Sequence, residues 1–286
     1  MLKREADEKH SSIYDFNTFR ECEVSPMNKL FEAGVTGNGA KKIGSTKSLS
    51  LFLLVAAFTH CPMATAQQQN AVFLGSAGSF GVLAGTTVTN TGPSVINGNL
   101  GVWPGTAVTG FGPGVVNGTE DAGDVAAQHA QASLNIAYTD AAARTSVAIN
   151  SLAGDLSGLT LAPGLYKSTS TLSLSGTLTL EGSGVYIFQI ASGLTVGTGG
   201  TVVLSGGATS DNVFWQVGSS ATLGTTASFK GTILALTSIS LATGAKLDGR
   251  ALAQHGAVTL DTNDVTIPLG AVLVVPLPPA PPRHRD

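Results

Sequence analysis

The sequence predicts a mainly β protein, a three-sided parallel β-solenoid interrupted by one long helix, and three observations predict it. From Val213 to Ile267 the chain divides into blocks of about six residues, each closing on an apolar residue: NVFWQV, GSSATL, GTTASF, KGTILA, LTSISL, ATGAKL, DGRALA, QHGAVTL and DTNDVTI. Blocks three apart resemble one another, and Phe229 and Leu247, like Leu223 and Leu241, lie 18 residues apart. A period near 18 with short apolar alternation is what a coil of three short strands needs, because one coil cannot bury its inner face without its neighbours. The third observation is a single Ala-rich, proline-free stretch from Glu120 to about Ala143, the one segment with a helical pattern.

Composition agrees with a folded solenoid. Of 286 residues, 12% are charged and 36 are Gly. Charge is thus about half the usual ~25%, and glycine well above its usual ~7%. The formal net charge of -3 offers no basic surface for nucleic acid. Residues 1–46 are charged and lack the six-residue rhythm, so they read as an N-terminal extension, and Met27 is a plausible alternative start. Residues 47–66 read as a secretory signal. Lys41, Lys42 and Lys47 precede the apolar run Leu49 to Phe58, too short to span a bilayer, and Ala64-Thr65-Ala66 supplies the small residues of a cleavage site. Cleavage ahead of Gln67 removes Cys22 and Cys61, leaving a secreted domain without thiols or disulfides.

Residues 67–267 form the expected solenoid domain. Between Ala71 and Val116, runs of Val, Ile, Leu and Thr broken by Gly, Pro and Asn read as the first coils. Thr119 is expected to cap a helix over about 119–143, with Glu120, Asp121 and Asp124 at its positive end. Ala130, Leu134, Tyr138 and Ala141 make a stripe that can lie on the solenoid wall. The β pattern returns after Arg144. In TLSLSGTLTL, Leu172, Leu174, Leu178 and Leu180 point inward while Ser173, Ser175, Thr177 and Thr179 point outward. Because the helix separates two β segments, the solenoid is discontinuous in sequence. Residues 268–286 form a proline-rich, extended tail without a membrane-spanning run.

Little in this chain suits catalysis. The acids are on the helix segment or scattered, and Asp261 and Asp264, the nearest to a pair, fit a turn better than the convergent carboxylates of a glycosidase. His129 and His255 have no second ligand at metal spacing. The stretch Gly197 to Gly200 lacks a phosphate-loop lysine and leads into a strand. Trp103 and Trp215 are too few for an aromatic sugar platform, and Trp215 is assigned a structural role. No catalytic residue, metal or cofactor is expected.

What remains is a surface. On the third block of each coil the outward positions are short and hydroxyl-rich: Thr177, Thr179, Gly199, Thr201, Thr226, Ser228, Gly244 and Lys246, with Thr262 or Asp264 in the last coil. Coils stacked about 4.8 Å apart turn such positions into a flat grid of methyl and hydroxyl groups. Threonine is stiff at χ1, so the grid is preorganised. It suits a ligand that is itself flat, uncharged and periodic, and ice fits that description. The competing expectation is a cell-surface or matrix adhesin that binds polysaccharide or protein on the same scaffold.

The segments LGSAGSFGVLAGTTVTNTGPSVINGNLGV, PGTAVTGF, LTLAPGLY, VYIFQI, NVFWQVGSSATLGT, GTILALTSISL, DGRALA and GAVTLDTN resemble the secreted microbial ice-binding protein family that carries the DUF3494 domain. The likeness spans essentially Ala71 to Ile267. It implies a discontinuous right-handed solenoid of triangular section with a flanking helix, no catalysis, and adsorption to an ice crystal surface by one flat face; a monomer is expected. In some members a Thr-[Ala/Gly]-x-[Thr/Asn] motif marks ice-contact strands. Thr198-Gly199-Gly200-Thr201 matches it, as does Thr106-Ala107-Val108-Thr109, and Thr226-Ala227-Ser228 and Thr243-Gly244-Ala245 match in part. Outward position and motif match together point to Thr177, Thr179, Thr198, Gly199, Thr201, Thr226, Ser228, Thr243 and Thr262, with Thr106, Ala107 and Thr109 as a second group. Lys246 and Asp264 depart from a clean threonine column.

Overall fold

A computed structural model describes residues 69–146 and 149–268. The extension with Cys22, the signal segment with Cys61, the cleavage position and the tail beyond Pro268 lie outside the described residues.

The alternating blocks form short parallel strands stacked in three columns, which give the solenoid three faces. One face, here the helix face, runs from Asn150–Ser151 through Gly164–Ser168, Tyr186–Ile190 and Val213–Val217 to the C-terminal halves of Ser228–Ala235 and Lys246–Ala253. It continues through Phe80–Ala84, Asn99–Val102 and Glu120–Ala122. The N-terminal coils therefore stack beyond the last C-terminal coil: Val82 pairs with Ala251, Thr89 with Thr259, and Val95 with Asp264. Sequence discontinuity has a geometric reason. Once the first coils are laid at one end, the chain must return to the other end before it can continue, and the helix is that return path.

Helix Val125–Ala143 is shorter than expected at its start. Glu120–Ala122 is a strand, with Leu100 beside Glu120, so these residues cover the edge of the preceding coil instead of beginning the helix. Gly123, at φ +72, turns the chain. The cap is then Asp124, whose Oδ1 accepts the Ala127 N–H at 2.9 Å, while the Thr119 hydroxyl donates to Asp121. The buried stripe is Ala127, Ala130, Leu134, Ala137 and Ala141. Tyr138, expected in that stripe, is half-buried, and its hydroxyl accepts from Gln216 Nε2 at 2.9 Å.

Two cores result. Inside the solenoid, the leucines expected to point inward, Leu172, Leu174, Leu178 and Leu180, are all buried. Tyr166, Phe188 and Trp215 stack on successive coils with centroids 5.1 and 3.9 Å apart, and Phe229 tilts against Trp215 at 4.9 Å. The Trp215 indole N–H donates to the Lys230 carbonyl, so the ring is structural, as expected. The second core lies between the helix stripe and the outward side chains of the helix face, including Leu165, Ile187, Phe214, Leu234 and Leu252. Gln189, from that face, reaches the Ala141, Ala142 and Arg144 carbonyls at 2.9, 3.1 and 2.8 Å and so caps the helix C-terminus.

Strands 228–235 and 246–253 bend round one corner, joining the helix face to a second face in one sheet. Glycine is required at the bend: Gly231 and Gly249 have φ of +104 and +158, and a Cβ on Gly249 would meet the Gly231 carbonyl oxygen at 1.9 Å. The third face is a separate eight-stranded sheet, and no helix among the described residues packs against it.

Candidate functional site

The eight-stranded sheet consists of Gly154–Asp155, Leu172–Leu174, Leu194–Val196, Ala221–Leu223, Ile239–Leu241, Val258–Asp261, Thr87–Thr91 and Ala107–Thr109. Period-2 alternation puts residues such as Leu174, Val196, Leu223 and Val258 inside and their neighbours outside. The outward neighbours line up in one register: Ser173 beside Thr195, Thr195 beside Thr222, Thr222 beside Ser240, Ser240 beside Thr259, Thr259 beside Thr89, and Thr89 beside Thr109. This is an unbroken ladder of seven hydroxyl side chains, and Asp155 ends it beside Ser173. The Thr259 hydroxyl donates to Ser240 at 2.9 Å and Thr109 to Thr89 at 3.4 Å. Thr195 and Thr222 in the centre are exposed and have no side-chain hydrogen bond among the described residues.

The second face carries four of the residues singled out in the sequence, Thr177, Thr179, Thr201 and Ser228, and it is chemically mixed. Thr177 pairs with Thr201, Thr201 with Ser228, Ser228 with Lys246, Lys246 with Asp264, and Asp264 with Val95. Asp264, not Thr262, thus continues the column in the last coil. A parallel column passes through Thr179, then Val203, while Lys230 stands beside Asp248 and makes an ion pair at 3.2 Å. Charge and aliphatic groups therefore break the hydroxyl pattern here.

Several predicted residues lie on neither strand face. Thr198, Gly199, Thr226, Thr243 and Thr262 occupy the turns between the second and third faces. The reason is backbone conformation: Gly199, Thr226, Gly244 and Thr262 have φ of +69, +56, +71 and +56, which no strand adopts. Hydrogen bonds from Thr226 N–H to Thr243 and from Gly244 N–H to Asp261 stack these turns into a corner ridge. The second motif match fares differently. Thr106 is exposed beside the edge strand Ala107–Thr109, whose Thr109 joins the seven-hydroxyl ladder.

Sequence reading missed Ser173, Thr195, Thr222, Ser240, Thr259 and Thr89 as a set. A signal was present. A hydroxyl residue three positions before the ladder residue recurs in Ser170/Ser173, Ser192/Thr195, Ser219/Thr222, Thr237/Ser240, Thr86/Thr89 and Thr106/Thr109. Among the described residues no group of three His, Cys, Asp or Glu side chains is placed to hold a metal, and no helix is long and apolar enough to cross a membrane.

Known proteins resemble this chain closely. An ice-binding protein of Nostoc sp. (strain HG1) is 47% identical over 226 residues, covering 77% of this chain and 82% of that protein. One from Flavobacterium frigoris (strain PS1) is 40% identical over 217 residues, or 71% of this chain and 78% of its own length. The crystal structure of an ice-binding protein from an Antarctic biological consortium superposes with a TM-score of 0.70 at 50% identity, covering 71% of this chain and 94% of that chain. These relatives give no support to an adhesin. Residues 82–266 match the family model described as ice-binding-like, and with the stacked three-faced coils and flanking helix this places the chain in the ice-binding-like family.

Proposed function

We propose that this protein is secreted and adsorbs to ice as a monomer through the eight-stranded face, inhibiting growth and recrystallisation. The observation that carries the reading is the uninterrupted ladder from Ser173 to Thr109 on the face that no helix among the described residues covers. Its side chains repeat at the coil spacing of about 4.8 Å, and threonine holds its methyl and hydroxyl in fixed positions. Waters bound along such a face can adopt an ordered, ice-like arrangement at little further entropic cost, and many weak contacts then sum along a rigid surface. Crystal growth must bulge between anchored molecules and becomes unfavourable. The second face suits this less, because Lys246, Asp264, Lys230 and Asp248 hold strongly bound water in orientations set by charge. Adsorption needs no bond-making chemistry, so no side chain is assigned a catalytic role.

Freezing hysteresis and recrystallisation measured on residues 67–286 test the proposal. Thr222→Tyr or Thr195→Tyr is expected to abolish most of the activity with the fold intact, because a bulky ring breaks the flat contact. Thr201→Tyr, on the mixed face, is expected to leave most of it. The opposite pattern would move the contact to the mixed face, and ordinary ice growth with the unaltered protein would sink the reading.

A further inference from the structure

A second concave site lies where the helix crosses the turns that leave the helix face for the hydroxyl face. It is an open cleft of about 400 Å³, within the range of small-ligand sites. Helix residues Gln128, Gln131 and Asn135 contribute one wall, since spacings of three and four place them on one side of the helix. The opposite wall is Trp103, which follows strand Asn99–Val102, and Gln254 and His255, which follow strand Lys246–Ala253. Parallel stacking of those strands against one another through Phe80–Ala84 brings segments about 150 residues apart to the same cleft.

The lining has a definite chemistry. It contains four side-chain amides, one imidazole and one indole, and no Asp, Glu, Lys or Arg. Gln254 is the buried member, 7% exposed, and its Nε2 has no hydrogen-bond partner among the described residues. A buried donor left unpaired is costly, and a ligand acceptor would satisfy it. Gln131 is fixed differently: its Nε2 donates to the Ala253 carbonyl at 3.1 Å, leaving its amide oxygen to accept from a ligand. Trp103 is half-buried and lines the cleft, so an indole is among the groups a ligand there would meet.

We infer that this cleft binds a small neutral saccharide, a mono- or disaccharide. Amides offer a donor and an acceptor together, which is the complement of vicinal hydroxyls, each of which also donates and accepts. An indole complements the C–H face of a pyranose. The lining holds no Asp, Glu, Lys or Arg among the described residues, so a phosphate or carboxylate meets no permanently charged partner and its desolvation would go uncompensated. The sequence offered too few indoles for an aromatic sugar platform, and the cleft holds only Trp103, but one ring suffices for one sugar when four amides surround it.

The full chain supplies its own probe. Trp215 is buried inside the solenoid, so a change in indole fluorescence on adding ligand reports Trp103. Titration with glucose, trehalose and maltose, against glucose 6-phosphate and glucuronate as charged controls, is expected to shift the emission saturably for at least one neutral sugar and for neither charged one. Gln128→Ala and Asn135→Ala both change exposed helix positions to a residue that helices favour, so the fold should persist. Each should weaken binding about tenfold, the effect of losing one or two hydrogen bonds. Thr222→Tyr should leave binding unchanged, which separates this site from ice adsorption. No saturable shift with any neutral sugar, equal response to the charged ones, or full affinity in both helix variants would overturn the inference.

Discussion

At the scale of residues, the corner ridge shows most directly how one side chain can work against its backbone. Gly199, Thr226, Gly244 and Thr262 occupy equivalent left-handed positions, yet two of them are β-branched. A non-glycine residue there costs about 1–2 kcal/mol, against about 0.5–1 kcal/mol for the greater unfolded-chain freedom of glycine. Thr226→Gly is therefore expected to stabilise the fold by about 0.5 kcal/mol, a rise of roughly 1–2 °C in Tm. Gly244→Thr should do the reverse without a clash, since the nearest side-chain atom to its new Cβ is Thr226 Cγ2 at 3.7 Å. Calorimetry on the two variants checks the pair. A destabilised Thr226→Gly would mean that the threonine side chain contributes contacts that outweigh its strain.

At the scale of elements, the helix depends on what holds its two ends. At its start the Ala127 N–H is met by the Asp124 side chain, and its last carbonyls are met by Gln189, which comes from the solenoid and so fixes where the helix stops. Asp124→Ala should cost about 1 kcal/mol by chemical denaturation. Gln189→Ala should cost more, about 1–3 kcal/mol, because it leaves buried carbonyls without a donor. Equal small losses in both would indicate that water replaces Gln189. The helical pattern was legible from composition and periodicity, but its start was not. Glu120, Asp121 and Asp124 all suit a helix N-terminus, and only the need of Asn99–Val102 for a partner strand drew Glu120–Ala122 into the sheet.

At the scale of the whole molecule, a stacked solenoid is weakest at its ends, where coils have one neighbour. Asp155 secures one end. Its carboxylate accepts from the Ser175 hydroxyl and N–H and from the Ser157 hydroxyl and N–H, and these bonds hold its pKa well below the usual carboxylate range, the Ser175 hydroxyl first among them. A depressed folded-state pKa contributes stability that is complete above the unfolded value of about 3.9 and is lost as the pH falls below it. Hydrogen exchange at the Ser157 and Ser175 amides should therefore accelerate, relative to the central coils, below about pH 4. Asp155→Asn should show part of that loosening at neutral pH. Protection at these amides that tracks the central coils through the whole acid range would show that Asp155 does not secure this end.

Sequence alone determined that this chain is a three-sided stack with one helix, because inward alternation belongs to each short strand by itself and the 18-residue interval is legible between Leu223 and Leu241 and between Phe229 and Leu247. It also placed Leu172, Leu174, Leu178 and Leu180 inside and gave Trp215 a structural role, and all five side chains are buried. It did not determine which outward residues share a face. Successive members of the hydroxyl ladder from Ser173 to Thr259 lie 22, 27, 18 and 19 residues apart, and Thr259 meets Thr89 from the other end of the domain. Turns of unequal length absorb those differences outside the strands, so counting residues mixed the corner ridge with the mixed face and passed over the third. Backbone hydrogen bonding between coils restores the register. Only that tertiary pairing sets seven hydroxyls in one column on the face without a helix, and joins Trp103, Gln254 and the helix amides in one cleft.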